Sequence, residues 1–242
     1  PTQFLSRKAI AFKMRGERVD DPDVIDRPDD VLTLENLAKL HAGLDEATRA
    51  HAAHRPAGDT STLVVVDRWG NAVSWVQSLF EEFGSGIVSG STGVVLHNRL
   101  GLQSLSPGQP WPLRPGHRPF HTLCPALLER DGRCELALAT PGDHGQPQTI
   151  MQVLLRMFGE NLDIQAAIEA PRLRHDAGSD VMIESRAPAA WGDEIAVRGL
   201  TVRDVGPWSR LMGGVNGLHR QDEGLLFAGA DPRRACYAVT AD

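Results

Sequence analysis

The sequence predicts an α+β protein built in layers. Three observations lead there: paired Val-, Trp- and Leu-rich runs on either side of short turns, a central block with helical spacing, and a return to strand-like pieces towards the end. The strict βαβα alternation of a doubly wound sheet is not found.

Residues 1–57 read as largely polar with one clear helix. Leu34, Leu37, Leu40 and Leu44 recur at three- and four-residue spacing, Thr33 is placed as N-cap, and Glu35 suits the positive end of the helix dipole. HAAHRPAGD, residues 51–59, then breaks the pattern with Pro56 and Gly58 and reads as a loop. From Thr60 the period changes. STLVVVDRWGNAVSWVQS predicts a hairpin of two buried strands, 61–67 and 71–78, split by Trp69-Gly70-Asn71. A glycine-rich loop follows over 84–93. Strands are expected at 122–129 and 133–140, turning at Asp131-Gly132. Ile150, Val153, Leu154 and Met157 predict a helix over 146–158, and 162–169 a second, shorter one. Strand-like pieces return near 180–185, 200–205, 214–219 and 224–228. There is no internal repeat.

Composition narrows the function classes. With 242 residues, 41% hydrophobic and 23% charged, the chain can bury a sizeable core. A net charge of -6 offers no basic footprint for nucleic acid or an anionic membrane. No run approaches the roughly 20 apolar residues of a membrane span, and PTQFLSRKAI lacks the apolar core of a signal peptide, so a cytoplasmic protein with a small-molecule partner is expected. A start at Pro1 rather than Met suggests a processed chain or a fragment. Cys124, Cys134 and Cys236 have no CxxC spacing, and no metal is expected. Neither GxGxxG nor GxxxxGK[ST] occurs, which argues against a nucleotide cofactor.

Thr60 follows a Gly-Asp loop and opens a strand. Cleavage after Asp59 would leave it a free α-amine, with a pKa near ~8, able to take the proton from its own hydroxyl. Taken alone, it reads first as an ordinary threonine at the start of a strand, and spacing does not lift that.

The run from Thr60 to Gly93, TSTLVVVDRWGNAVSWVQSLFEEFGSGIVSGSTG, resembles the start of the small subunit of the γ-glutamyltranspeptidase family, and the similarity continues through RPFHTLCPAL and ATPGDHGQPQT to APRLRHD. Upstream, RGERVDDPDVIDRPDDVLT resembles the end of the family's large subunit. The resemblance implies a four-layer αββα sandwich of the N-terminal-nucleophile type and scission between Asp59 and Thr60. It divides the chain into 1–59, the end of a large subunit, and 60–242, a small subunit. The rest of the large subunit would be a missing partner.

Carried over residue by residue, the resemblance places Thr60 on the nucleophile and Ser78 on a hydroxyl supporting its amine. Pro141-Gly142-Asp143 falls on the PGG turn whose N–H groups line the oxyanion hole. Asp143 replaces the second glycine, which keeps an N–H but puts the turn's dihedral in question. Phe80, Arg99 and Leu102 stand where the transpeptidases hold a glutamyl amine and carboxylate with Asn, Gln and Asp, and His121-Thr122 replaces a Ser-Ser pair. Losing an acid while gaining Arg99 and His121 suggests an acyl group without an α-amine but with a carboxylate. Ser78 could instead be an ordinary strand-end serine, Arg99 a member of a structural ion pair, and His121 a core histidine. His144 could line the site, but reads rather as facing solvent near a helix start.

EFGSGIV, Asn98-Arg99, PFHTL and GQPQ look closer to divergent members of the family, of the oxamate amidohydrolase kind, than to true transpeptidases. Relatives that break a C–C bond in natural-product pathways are a further kind. The expected activity is hydrolysis of a small carboxylate-bearing amide, with Asn98, Arg99, His121 and Thr122 binding substrate. The alternatives are γ-glutamyl transfer, C–C bond hydrolysis and an unprocessed noncatalytic homologue.

Overall fold

The computed structural model describes residues 1–23, 33–42, 60–106, 108–221 and 224–240. Two helices, α1 (Thr2–Arg18) and α2 (Leu34–Ala42), precede a hairpin of β1 (Thr60–Val66) and β2 (Ala72–Ser78). Then come β3 (Ala126–Arg130), β4 (Arg133–Ala139), α3 (Gln146–Leu154), α4 (Ile164–Glu169), β5 (Leu173–Arg174) and β6 (Asp180–Ile183). The chain continues through α5 (Ala189–Ala196), β7 (Thr201–Asp204), β8 (Asn216–Arg220) and β9 (Leu226–Ala230). The expected loop over 51–59 lies outside the described residues, and so does Leu44.

The hairpin turn is held by one carboxylate. Asp67 accepts from the backbone N–H of Trp69 and of Asn71, at 2.9 and 2.8 Å, and from the Asn71 side-chain amide at 2.6 Å. Gly70 supplies the positive φ of 90° that the tight turn requires. Burial alternates along both strands. Thr62, Val64, Ser74 and Val76 face inward, while Leu63, Val65, Val73 and Trp75 stay exposed, Trp75 at 55%. The expectation of two buried strands is therefore corrected to strands buried on one face. The covered face mixes Thr and Ser with Val and is the less apolar of the two, so hydrophobicity alone points to the wrong one.

The second sheet has the order β3-β4-β8-β9 and is antiparallel throughout. Leu136 and Leu138 on β4 pack with Ile150, Val153, Ile164 and Ile168 from α3 and α4 and with Val215. The alternate residues Ala137 and Ala139 are fully buried on the other face. Ser74 Oγ donates to the Leu138 carbonyl at 2.7 Å and Asn216 Nδ2 to Thr62 Oγ1 at 2.8 Å, which fastens the hairpin to that face. Helices, four-stranded sheet and hairpin thus stack as three of the four layers expected of an αββα sandwich. Small residues permit the close stacking: a Cβ on Gly217 would stand 2.7 Å from Ile164.

A second core lies around β5-β6-β7, where Leu173, Val181 and Ile183 meet Ile195 and Leu200 and receive Leu5 from α1. Burying Leu5 anchors that helix by roughly 2 kcal/mol. Lys8 Nζ adds a bond to the Asp176 carbonyl at 3.1 Å, and Arg198 donates to Ser6 Oγ.

Several boundaries differ from expectation for local reasons. The strand expected from 122 starts at Ala126: Pro125 has no N–H to give a ladder, and the Cys124 N–H goes to Gln146 Oε1 at 2.9 Å. The short helix starts at Ile164 because Asp163 caps it, accepting from the Ala166 N–H at 2.8 Å. Helix α3 leaves α geometry at Leu154 and ends as a π turn over Leu155–Gly159. The polar N-terminal part holds α1 as well as the expected helix. Its buried face includes Ser6 and Lys8 beside Leu5 and Phe12, so the apolar period that would reveal it is interrupted.

Candidate active site

Thr60 begins β1 and is paired across the hairpin with Ser78, the last residue of β2. Ser78 Oγ accepts the N–H of Phe80 at 3.0 Å. That bond turns the chain sharply out of the strand. Phe80 has φ 82°, a left-handed conformation that a bulky residue rarely adopts, yet it is buried at 5% exposure. Strain of this kind is held only where the surroundings over-determine it.

Phe80 faces Arg99, whose guanidinium carbon lies 5.5 Å from the ring centroid. Arg99 is 3% exposed and donates to Thr122 Oγ1 at 3.4 Å, and Thr122 is itself buried. Among the described residues no carboxylate lies within ion-pair distance of Arg99, so the alternative of a structural ion pair is not seen. Burial lowers its pKa while the charge of Asp143 opposes the fall. His121, largely exposed as a residue, has its imidazole lowered by what burial the ring has and by the Arg99 charge. Asn98 behaves differently from the other singled-out residues. Its amide donates to Glu81 Oε2 at 2.6 Å and its carbonyl accepts the Glu81 N–H at 3.1 Å, which fixes the turn carrying Phe80.

The Pro141-Gly142-Asp143 turn follows β4 directly. Gly142 has φ 134°, open only to glycine, and Asp143 adopts φ 54°, so the replacement keeps a left-handed backbone after all. Gly145 N–H closes the turn onto the Gly142 carbonyl at 2.8 Å. A cavity of about 460 Å³ brings Pro141 and Thr60 together with Thr62, Asn216, Arg210 and Arg234. Sequence reasoning did not single out the last three. They lie 150 to 174 residues from Thr60 along the chain, and no motif marks them.

His144 does not face solvent as expected. Its ring lies 6.3 Å from Phe120 and 6.5 Å from Phe12, and Nδ1 is 3.0 Å from Arg15 Nη2.

Behind the cavity sits a buried ionic network. Arg233 donates to Glu184 Oε2 at 2.6 Å and lies 3.1 Å from Asp231, while Arg172 holds Asp231 at 2.7 Å. Burial pushes the Asp231 carboxyl up, but Arg172, Arg233 and the N–H groups of Val215 and Arg233 outweigh it and hold it below the usual range. This network ties the segment after β9 to β6, and Arg233 is also part of the cavity wall. Among the described residues no group of three or more His, Cys, Asp or Glu is arranged to hold a metal, and no helix is long and apolar enough to cross a membrane.

The family model described as Gamma-glutamyltranspeptidase matches residues 4–241. The chain belongs to that family. Among curated proteins it is 34% identical to the Glutathione hydrolase-like YwrD proenzyme of Bacillus subtilis, over 98% of this chain and 45% of that protein. It is also 34% identical to the Oxamate amidohydrolase proenzyme of Klebsiella pneumoniae, over 92% of this chain and 44% of that protein. The chain therefore spans less than half the length of these gamma-glutamyltranspeptidase relatives. Among solved structures, cephalosporin acylase from Bacillus halodurans superposes with a TM-score of 0.84 at 27% identity, over 97% of this chain and 43% of that one. Gamma-glutamyltranspeptidase from Pseudomonas nitroreducens superposes at 0.65 and 28%, over 75% of this chain and 99% of that one. The α+β fold is that of these N-terminal-nucleophile enzymes.

Proposed function

We propose that this chain carries the catalytic portion of an autoprocessed amide hydrolase in which Thr60 is the nucleophile. The observation that carries the reading is the position of Thr60: it heads β1 opposite Ser78 and shares a cavity wall with Pro141 of the strained turn. The word proenzyme in the names of both curated relatives supports processing. Residues 60–242 are 183 of 242, about the share of the chain that covers nearly all of the Pseudomonas nitroreducens chain, which supports scission at Asp59-Thr60.

In the reaction, the freed α-amine of Thr60 takes the hydroxyl proton as Oγ1 attacks the amide carbonyl. The N–H groups of Gly142 and Asp143 hold the oxyanion. The C–N bond breaks, the leaving amine takes the proton, and water attacks the acyl ester, releasing the acid and restoring the threonine. Ser78 supports the amine. Arg99 and Thr122, with His121 at the rim and Asn98 bracing the turn, bind a small acyl group that ends in a carboxylate. The longer relatives support a further partner, the remainder of a large subunit, which would cover the exposed face of Leu63, Val65, Val73 and Trp75.

The test is N-terminal sequencing of the purified whole protein followed by assays on an oxamate-like amide and a γ-glutamyl anilide. A new terminus at Thr60 with turnover of the first supports the reading. Turnover of the anilide alone favours γ-glutamyl chemistry, and an uncleaved, inactive protein removes the hydrolase reading.

A further inference from the structure

We propose that Arg15, on the helix that precedes the scission point, is a positioning residue for the Gly142-Asp143 turn, acting through a fixed His144 ring. This rests on the hydrolase reading only for its effect on turnover.

Arg15 is wedged among rings: its guanidinium carbon lies 4.0 Å from the centroid of Phe12, 5.3 Å from Phe120 and 5.8 Å from Trp111, and Trp111 and Phe120 stack at 3.7 Å. A guanidinium can only donate, so the 3.0 Å contact makes His144 Nδ1 an acceptor. The ring is therefore neutral with its proton on Nε2. His144 is the residue after Asp143 in the 3-10 turn Asp143–Gly145, so holding its ring restrains the backbone on which two consecutive positive φ angles depend. Arg174 also presses, within 3.0 Å of where a Cβ on Gly145 would stand. The turn is thus contacted by two arginines, one at the His144 ring and one at Gly145.

Charge gives the Arg15 contact a second use. The Asp143 carboxylate belongs to a residue whose own N–H is proposed to hold a developing oxyanion, where an extra negative charge is unfavourable. It acts on both Arg15 and Arg99, holding each guanidinium toward its charged form against burial, which brings Arg15 down to about 10. Arg15, like Arg99, thus offsets the charge that an aspartate brings to a glycine position. The first half of α1 is fastened to the second core through Leu5, Lys8 and Ser6, so the helix remains in place without covalent continuity to β1.

The test uses the whole protein and compares Arg15→Met with Arg15→Lys and His144→Leu, each with and without Asp143→Gly. On an amide that the wild type hydrolyses, Arg15→Met and His144→Leu should each lower kcat roughly 10- to 100-fold with little change in KM, and the pair together no further. Arg15→Lys, which keeps charge without the planar fork, should fall between. In the Asp143→Gly background, Arg15→Met should cost only about twofold. Additive losses, or an equal loss in the glycine background, would overturn the proposal. Nitrogen NMR of His144 gives a readout independent of turnover: unprotonated Nδ1 in the wild type, free exchange of tautomers in Arg15→Met and Arg15→Lys, and displaced Gly142 and Asp143 amide resonances. If the wild type hydrolyses no amide, the hydrolase reading fails by itself. The coupling then stands or falls on whether those resonances move.

Discussion

Thr60 and Ser78 face each other as the terminal pair of the β1-β2 register, one strand's first residue against the other strand's last. The pairing places two hydroxyl residues at the same end of a hairpin whose remaining inward residues are fixed by the sheet beneath. For Thr60→Ala we expect the fold to persist and the chain to stay whole on a denaturing gel, since the hydroxyl needed to attack the preceding carbonyl is gone. A fragment ending at residue 59 in that variant would remove Thr60 as nucleophile.

Ser78 already accepts the Phe80 N–H, so its own proton remains available for a second acceptor. Ser78→Ala should cost about 0.5 to 2 kcal/mol, read as a roughly twofold to thirtyfold fall in turnover together with a modest loss of stability from the freed Phe80 N–H. Ser78→Thr should recover most of both. Wild-type kinetics in Ser78→Ala would place Ser78 outside the chemistry.

Arg99 is buried against Phe80 and Thr122 with no carboxylate in ion-pair range among the described residues, and on the proposed reading its fork takes the substrate carboxylate. Arg99→Lys should lower kcat/KM for a carboxylate-bearing amide by about 10- to 100-fold while sparing self-cleavage, because a lysine point charge cannot reproduce two parallel bonds. Equal kcat/KM values would return Arg99 to a packing role.

Asp231→Asn should be among the most destabilising single changes, about 3 to 5 kcal/mol by denaturant midpoint, because Arg172 and Arg233 would then be buried without their anion. The folded carboxyl is held below its unfolded value, so its contribution is complete above the ordinary carboxylate range and is lost as pH falls through the folded value. The acid limb of the stability profile should therefore flatten in the variant.

Lys8 gives a slope of the same sign, at alkaline pH and for a different reason. Burial lowers its pKa to about 8, with Asp176 opposing, so between about 8 and the unfolded value near 10.4 the unfolded chain holds a proton that the folded one has lost. Stability from this group should rise with pH across that window, by at most about 1.4 kcal/mol per pH unit, and Lys8→Met should abolish the slope. An unchanged slope in Lys8→Met would mean that the ammonium is solvated.

Short-range physics made much of this protein legible from its sequence. The Trp69-Gly70-Asn71 and Asp131-Gly132 turns, the apolar spacing from Ile150 to Met157 and the strand runs beside them are set by backbone sterics and by periodicities of two and 3.6, which neighbouring residues alone determine. The family resemblance could likewise be seen in contiguous motifs. Tertiary structure decided what no window of neighbours contains: which face of the hairpin is covered, that Arg99 is buried against Phe80, and that Asn216, Arg210 and Arg234 share a cavity with Thr60. It also placed α1, whose buried face mixes Ser6 and Lys8 with Leu5 and Phe12, and brought Arg15 to His144 across 129 residues. Burial and electrostatics act through space rather than along the chain, so a polar helix face or an isolated arginine acquires its meaning only when the partner that desolvates it arrives.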